Sequence, residues 1–492
     1  MSLVRSTAPT TQAQSIMNAD VVVIGGGMAG LTAAARAAAT GASVLLVERA
    51  NTLGGSARFA GFVWTAPLHE VMAEVNPGGD VALRSALVDG FDGAIEWIRR
   101  LGVTVGDAVG VLCFGRGYPV DVGHYLDACA RLVREHGEVL AGTETRALLR
   151  EDGRVVGAEL LLPDGQAREV RAAATVLATG GFQADPDLRA RHLGPAARDV
   201  PLRSNPFSRG DGLRLAESAG ALTGLPSAGF YGHLVPTRVR LEPELFVDLA
   251  LYYSEHALLF NLAGERFIDE TAGDHLTTMA LLDQPEARGL LVTDARGHRE
   301  WVTGAYAPGA PSTDKFALAQ RRGARCALAA SVAEFADMPQ EWGYDGDRIH
   351  REIERVNARS ETGTVRPERR FDSRPLTEPP YYAVEVQPAV TFPFTGIRTD
   401  STGRVLAGGG GTVPGLFAAG SDTGGLYDRA YAGGLAPAVV FGLAAADAAM
   451  AQTAPSGVVT GGATPPASRT ESEPTESQGP KASMRRSAGW TI

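Results

Sequence analysis

Three glycines and an acid carry the first chemistry that can be read from the chain. Gly25, Gly27 and Gly30 stand at G-x-G-x-x-G spacing, and Glu48 follows. Glycines so spaced admit a sharp turn, a close approach of backbone to a pyrophosphate, and tight packing of helix on strand. An acid roughly 20 residues further on can accept hydrogen bonds from a ribose. The flanking sequence supplies the elements that must hold these groups. Residues 21–24 are an unbroken apolar run and read as a buried parallel strand. Residues 28–40 are rich in alanine and read as a helix, whose positive end at Met28 and Ala29 would face the phosphates. Residues 43–47 read as a second strand that ends at Glu48 and Arg49. Strand, glycines, helix, strand and acid in this order predict a bound dinucleotide.

The bulk properties exclude several function classes. A chain of 492 residues has room for two to three domains. A net charge of −10 argues against a nucleic-acid surface. Cys113, Cys129 and Cys326 lie far apart without ligand spacing, so neither a disulfide framework nor a metal site is expected. No apolar run reaches the roughly 18 residues of a membrane span. Residues 1–18 lack the apolar core of a secretory signal. The expectation is a cytoplasmic protein without membrane insertion. Residues 1–17 and 453–492 are too poor in apolar groups to fold alone and are expected to be disordered.

Further motifs narrow the dinucleotide. Asn51-Thr52-Leu53-Gly54-Gly55-Ser56 follows the acid directly. Ala178-Thr179-Gly180-Gly181, Ser208-Arg209-Gly210-Asp211-Gly212, Gly264-Glu265-Arg266-Phe267 and Gly403-Arg404-Val405-Leu406 come later. With these the chain resembles the FAD-dependent fumarate reductase/succinate dehydrogenase flavoprotein superfamily, and within it the soluble desaturases of the 3-ketosteroid and tricarballylate dehydrogenase kind. The resemblance implies an α/β fold: a Rossmann-like FAD-binding domain of the glutathione-reductase type with an inserted α+β capping domain. It implies FAD-binding parts at residues 18–222 and 375–452, and the capping domain at 223–374. FAD contacts are implied from Gly55 and Ser56, and from backbone at Ala60 and Gly61 near the flavin ring. Residues 143–147, with Arg146 and Ala147, would surround the adenine. Thr179 and Gly180 would lie beside the pyrophosphate. Asp211 would touch FAD or cap its own helix. Gly420 and Asp422, then Gly434, Leu435 and Ala436, would complete the site, with the last helix aimed at the flavin. Membrane-bound members attach FAD to a histidine near residues 58–62. None stands there, so the FAD is expected to be non-covalent.

Such a protein forms or reduces a C=C bond beside a carbonyl. The chain must supply a base for the α-proton and donors to the oxygen where enolate charge grows. Tyrosine suits both tasks; arginine suits a carboxylate. Tyr431 matches a tyrosine of the ketosteroid and tricarballylate enzymes and is the first candidate donor, with packing over the glycine turn as the plain alternative. Arg429 matches an arginine of tricarballylate dehydrogenase and implies an acidic substrate, unless it merely pairs with Asp428. Tyr382 matches a carbonyl-binding tyrosine of the Δ1 ketosteroid enzymes, or lines the core. His233 lies where fumarate reductases have a substrate histidine. Tyr252, Tyr253 and Tyr306 are candidate bases. Fumarate reductases deliver a proton from an arginine just past the equivalent of Glu270. Residues 271–275 here are Thr-Ala-Gly-Asp-His, which argues against fumarate reduction. The expected reaction is dehydrogenation of a ketone, either a 3-oxosteroid or a smaller cyclic ketone such as an oxo-cyclohexanecarboxylate. The alternative is a di- or tricarboxylate dehydrogenase or a fumarate-reductase-like enzyme. The expected partners are a small-molecule substrate and an electron acceptor that the sequence does not identify.

Overall fold

In the computed structural model, residues 16–111, 114–225, 228–304, 312–359 and 366–453 are described. Residues 1–15 and 454–492 of the two expected tails, Tyr306 and Cys113 fall outside them; Met17 and Thr453, expected at the edges of those tails, instead belong to a strand and a helix. The apolar run at 21–24 is the buried end of the strand Met17–Ile24. Val44–Val47 pairs parallel on one side of it and Ala167–Leu177 on the other. Gly137–Leu140 and Thr412–Ala418 extend these neighbours, also in parallel. Such a sheet buries both faces at its centre, which is why Val21–Ile24 and Val44–Val47 are apolar throughout rather than alternating. The hairpin Glu144–Glu151 and Arg154–Leu161 joins antiparallel to Ala167–Leu177. Its turn uses Asp152 and Gly153, both with positive φ (48° and 79°), as the Asp-Gly pair predicts.

Helices cover this first sheet. Met28–Ala39 packs against Val122–His136 and the closing helix Leu435–Thr453. Small residues set how closely these helices lie: a Cβ at Gly442 would stand 2.8 Å from the carbonyl oxygen of Ala29. Val81–Arg100 starts at Asp80, whose side chain accepts from the amides of Ala82 and Leu83, and buries Leu83, Leu87, Phe91, Ile95, Trp97 and Ile98 as its 3.6-residue spacing predicts. Tyr125 is fully buried, its hydroxyl 2.7 Å from Thr32 Oγ1 and accepting from Trp97 Nε1 at 3.2 Å.

A second sheet is wholly antiparallel. Tyr381–Pro393 is its spine, flanked along one edge by Phe230–Pro236 and then Cys326–Ala329, and along the other by Gly289–Thr293; Leu258–Phe260 pairs with Gly289–Thr293. This pairing places residues 381–393 with the second sheet, whereas the motifs had put everything after 374 with the first. The chain rejoins the first sheet only at Arg404–Leu406. The helix Leu435–Thr453, at 19 residues, is long and apolar enough by length and composition to cross a membrane, but most of it is buried inside the protein. Its Asp447 pairs with Arg36 of the first helix at 2.7 Å.

Candidate active site

A long cleft runs over the C-terminal ends of the parallel strands, past Ile24, Val47, Ala178 and Ala419. At one end backbone does most of the work. Gly25 has φ +108°, and a Cβ there would stand 2.1 Å from the carbonyl oxygen of Ala178. Gly27, with open space above it, caps the first helix without a side-chain hydrogen bond. The first amides of that helix, at Met28 and Ala29, therefore remain available to a pyrophosphate. Gly30 does not line the cleft; its missing Cβ lets the helix pack onto the carbonyl of Gly25, at 1.9 Å from where that carbon would be. Glu48 is 9% exposed and accepts from the amides of Gly26 and Ala50, each at 2.7 Å. Each oxygen keeps acceptor capacity for a ribose hydroxyl. Burial pushes the Glu48 carboxyl above its ordinary range, against the pull of these two amides. Arg49 bridges Glu144 and Asp211, each at 3.1 Å. Gly55, Ser56, Ala60, Gly61, Thr179, Gly180, Asp211, Gly420, Gly434 and Leu435 all line the cleft, as the motifs predict.

Besides Gly30, four further expected FAD contacts fall elsewhere. Thr143 and Thr145 line the cleft, but the strand slips register between Thr145 and Ala147, and Arg146 and Ala147 turn away. Arg146 is half exposed and pairs with Glu144 at 3.3 Å. Asp422 lies beneath the cleft. It accepts from the amide and hydroxyl of Thr179 and from the amide of Gly181, so it holds the turn that lines the cleft. Ala436 is fully buried on the core side of the closing helix, which shows only Leu435 and Ala438 to the cleft.

The other end is built of side chains. Tyr431 stacks on Tyr231 with ring centroids 3.5 Å apart and planes 10° from parallel. Trp64 and Phe392 meet Tyr431 edge-on at 5.2 and 5.9 Å. Phe59 and Phe62 close the wall. The glycine turn beneath Tyr431 is held by Tyr427, whose hydroxyl lies 2.8 Å from the carbonyls of Ala432 and Gly433. Buried Asn76 accepts from the amides of Asp428, Arg429 and Ala430 at 3.0–3.2 Å.

Arg203 enters the same space, 9% exposed. Its Nε donates to the carbonyl of Phe246 at 2.9 Å, and its two Nη groups reach Thr391 Oγ1 at 3.4 Å and the Tyr252 hydroxyl at 3.3 Å. None of the ion pairs among the described residues involves it. Nothing in its sequence context marked it out.

The remaining candidates sort clearly. Tyr431 and Tyr252 line the cleft. His233 lies one layer behind, 2% exposed, with Nε2 2.7 Å from the Tyr231 hydroxyl and Nδ1 on the Asp274 carboxylate. Arg429 does not line the cleft, because the hold of Asn76 on its backbone fixes the loop with Tyr431 inward. Tyr382 stacks on His298 at 4.0 Å and meets Phe316 at 5.0 Å within a core of the second sheet, away from the cleft. Tyr253 is likewise buried in that core. Among the described residues no group of three or more His, Cys, Asp or Glu could hold a metal.

Comparison with known proteins agrees with this cleft. The FAD binding domain family matches residues 20–435. A fumarate reductase (cytochrome) of Shewanella frigidimarina is 27% identical over 472 residues, covering 87% of this chain and 76% of its own. A 4-oxocyclohexanecarboxylate 2-dehydrogenase of Sinomonas cyclohexanicum is 26% identical over 531 residues, covering 84% and 89%. The crystal structure of a 3-ketosteroid-Δ4-(5α)-dehydrogenase from Rhodococcus jostii superposes with a TM-score of 0.70 at 21% identity, over 89% of this chain and 98% of that one, and so shares the fold. With its uncapped helix end, its glycine turn and its buried ribose acid in place, the chain belongs to the FAD binding domain family and is an FAD-dependent oxidoreductase.

Proposed function

We propose that this protein removes two hydrogens across the CH–CH bond beside the carbonyl of a small cyclic ketone that also carries a carboxylate. The observation that supports this reading is the side-chain end of the cleft, where the stacked pair Tyr231 and Tyr431 shares one space with Arg203, a buried guanidinium without an ion-pair partner among the described residues. Bound FAD, held without a covalent link, supplies the acceptor for the hydride of the β carbon. The protein's own residues bind, orient and move the proton. Arg203 takes the carboxylate: a desolvated cation with no direct ion-pair partner among the described residues is costly, and a substrate anion repays that cost with charge-assisted hydrogen bonds. Tyr431 donates to the ketone oxygen, where negative charge develops as the α-proton leaves. Trp64, Phe59, Phe62 and Phe392 clasp the ring and exclude water.

The Sinomonas relative is named for a substrate of this class, which adds support. A steroid ketone offers Arg203 no anion. Arg203 also favours the second reading, a di- or tricarboxylate, but that substrate leaves the tyrosine pair without a ketone to polarise. An anaerobic screen tests the choice by bleaching of bound flavin. 4-Oxocyclohexanecarboxylate is expected to bleach it fast, cyclohexanone slowly, and androstenedione and tricarballylate not at all. Bleaching by the steroid or the tricarboxylate alone would overturn the reading.

A further inference from the structure

We propose that Tyr231 is the base that takes the α-proton, with His233 and Asp274 as the positioning residues that let it do so. This rests on the reading of the cleft as a site that forms a C=C bond beside a carbonyl. A phenol hydroxyl at neutral pH is a poor base unless its own proton has somewhere to go. Here it has. The Tyr231 ring lines the cleft, and its hydroxyl lies 2.7 Å from His233 Nε2. His233 Nδ1 is bound to Asp274, which is 6% exposed. Acid, imidazole and hydroxyl thus stand in a line that ends at the substrate space, the arrangement by which a buried acid and a histidine activate a weak nucleophile or base.

The state of each group suits the task. Burial, chiefly, holds the His233 imidazole below its ordinary value, so it is neutral near pH 7. Burial pushes Asp274 up, but the contact with His233 outweighs it and the carboxyl stays below its ordinary range, ionised. An ionised Asp274 can only accept, which fixes the hydrogen on Nδ1 and leaves Nε2 to accept from Tyr231. Other groups face this line. Arg203 and Lys315 press His233 toward neutrality. His275, pushed down to about 4 chiefly by burial, is neutral beside Asp274. Glu255, raised to about 7 by burial and by Asp274, accepts from the Asp274 amide. Tyr252 meets the His233 ring edge-on at 4.9 Å.

The proton balance closes. The α C–H bond breaks and its proton goes to the Tyr231 oxygen, while the Tyr231 hydroxyl proton passes to His233 Nε2. The resulting imidazolium is held by Asp274, and the C–H electron pair moves into the enolate whose oxygen Tyr431 holds. Nothing else enters or leaves until the hydride departs. The two stacked tyrosines have separate tasks: the Tyr231 hydroxyl passes its proton to His233, and the Tyr431 hydroxyl donates to the enolate oxygen.

The test uses the FAD-loaded enzyme and a ketone that bleaches the wild type. Failure of every ketone to bleach the wild type counts against the reading of the cleft, not against this assignment. Tyr231→Phe is expected to keep the flavin spectrum, lose roughly 100-fold or more in kcat with little change in KM, and stop deuterium wash-in at the α carbon. In the wild type, kcat should fall on the acid side as His233 takes up a proton, below the ordinary imidazole range. That limb should vanish in His233→Gln and persist in Tyr431→Phe. Unchanged wash-in in Tyr231→Phe, or an unchanged acid limb in His233→Gln with flavin bound, would overturn the assignment. If Tyr231→Phe loses its flavin, the acid limb in His233→Gln decides alone.

Discussion

The two ends of the cleft are made differently. The end that holds the dinucleotide gathers backbone from three adjacent strands: Gly25 to Ala29 after the central strand, Glu48 after its neighbour on one side, Gly180 after its neighbour on the other. Its chemistry comes from amides that any sequence possesses, and glycine exposes them. The end that holds the substrate gathers side chains from distant segments: Phe59 and Trp64, Arg203, Tyr231, Phe392 and Tyr431. Its chemistry is specific to residue type and replaceable one side chain at a time. The first end fixes what the protein carries, the second what it acts on. The two should therefore fail differently when altered.

The largest effect is expected at the backbone end. Gly25→Val sets a side chain against the Ala178 carbonyl at a φ of +108°. Strain of this kind costs on the order of 1–3 kcal/mol before the clash is added. The purified variant should be colourless on visible absorbance and take up no FAD on titration. Asp422→Ala comes next. It strips partners from the Thr179 and Gly181 amides, each worth about 1–3 kcal/mol when left unmet, and should raise the Kd for FAD roughly 10- to 100-fold by fluorescence titration.

At the side-chain end, Arg203→Ala should leave FAD affinity intact. It should lower kcat/KM for a keto acid by roughly 10- to 100-fold, the worth of a charge-assisted contact, while an uncharged ketone loses little. Arg429→Ala should change neither by more than about twofold, since its side chain lies outside the cleft. Equal losses in the two variants would erase the distinction between an inward and an outward arginine. The smallest effect concerns stability. Glu255 is raised in the fold from 4.5 to about 7. The native state then binds more protons than the unfolded chain between those values, so this group's contribution to stability falls as pH rises through that window. Glu255→Gln should raise the melting temperature at pH 8 and leave it unchanged at pH 4.

The contrast also explains what could be read from the sequence. The glycine spacing, the ribose acid and the Thr179-Gly180 turn were legible because local backbone conformation fixes them. Asp422 was legible as an acid near FAD, but not as the brace of a turn some 240 residues earlier in the chain. The pair Tyr231 and His233 could have been seen together, being two apart on one strand, where side chains share a face. Their link to Asp274 could not, since it depends on how a helix docks on the second sheet. Arg203 sits in no motif; only its burial without a direct ion-pair partner among the described residues marks it. Arg429 and Tyr382 were chosen by likeness to relatives, and the packing of this chain turns both aside. The strand Tyr381–Pro393 reads like its neighbours in either sheet, and only its pairing assigns it.

The most direct test follows the flavin absorbance after anaerobic mixing with 4-oxocyclohexanecarboxylate and, separately, with its methyl ester. The account predicts bleaching by both, with the acid saturating at concentrations at least about tenfold lower, and loss of that advantage in Arg203→Ala. Bleaching by neither, or equal saturation by acid and ester in the wild type, would contradict it.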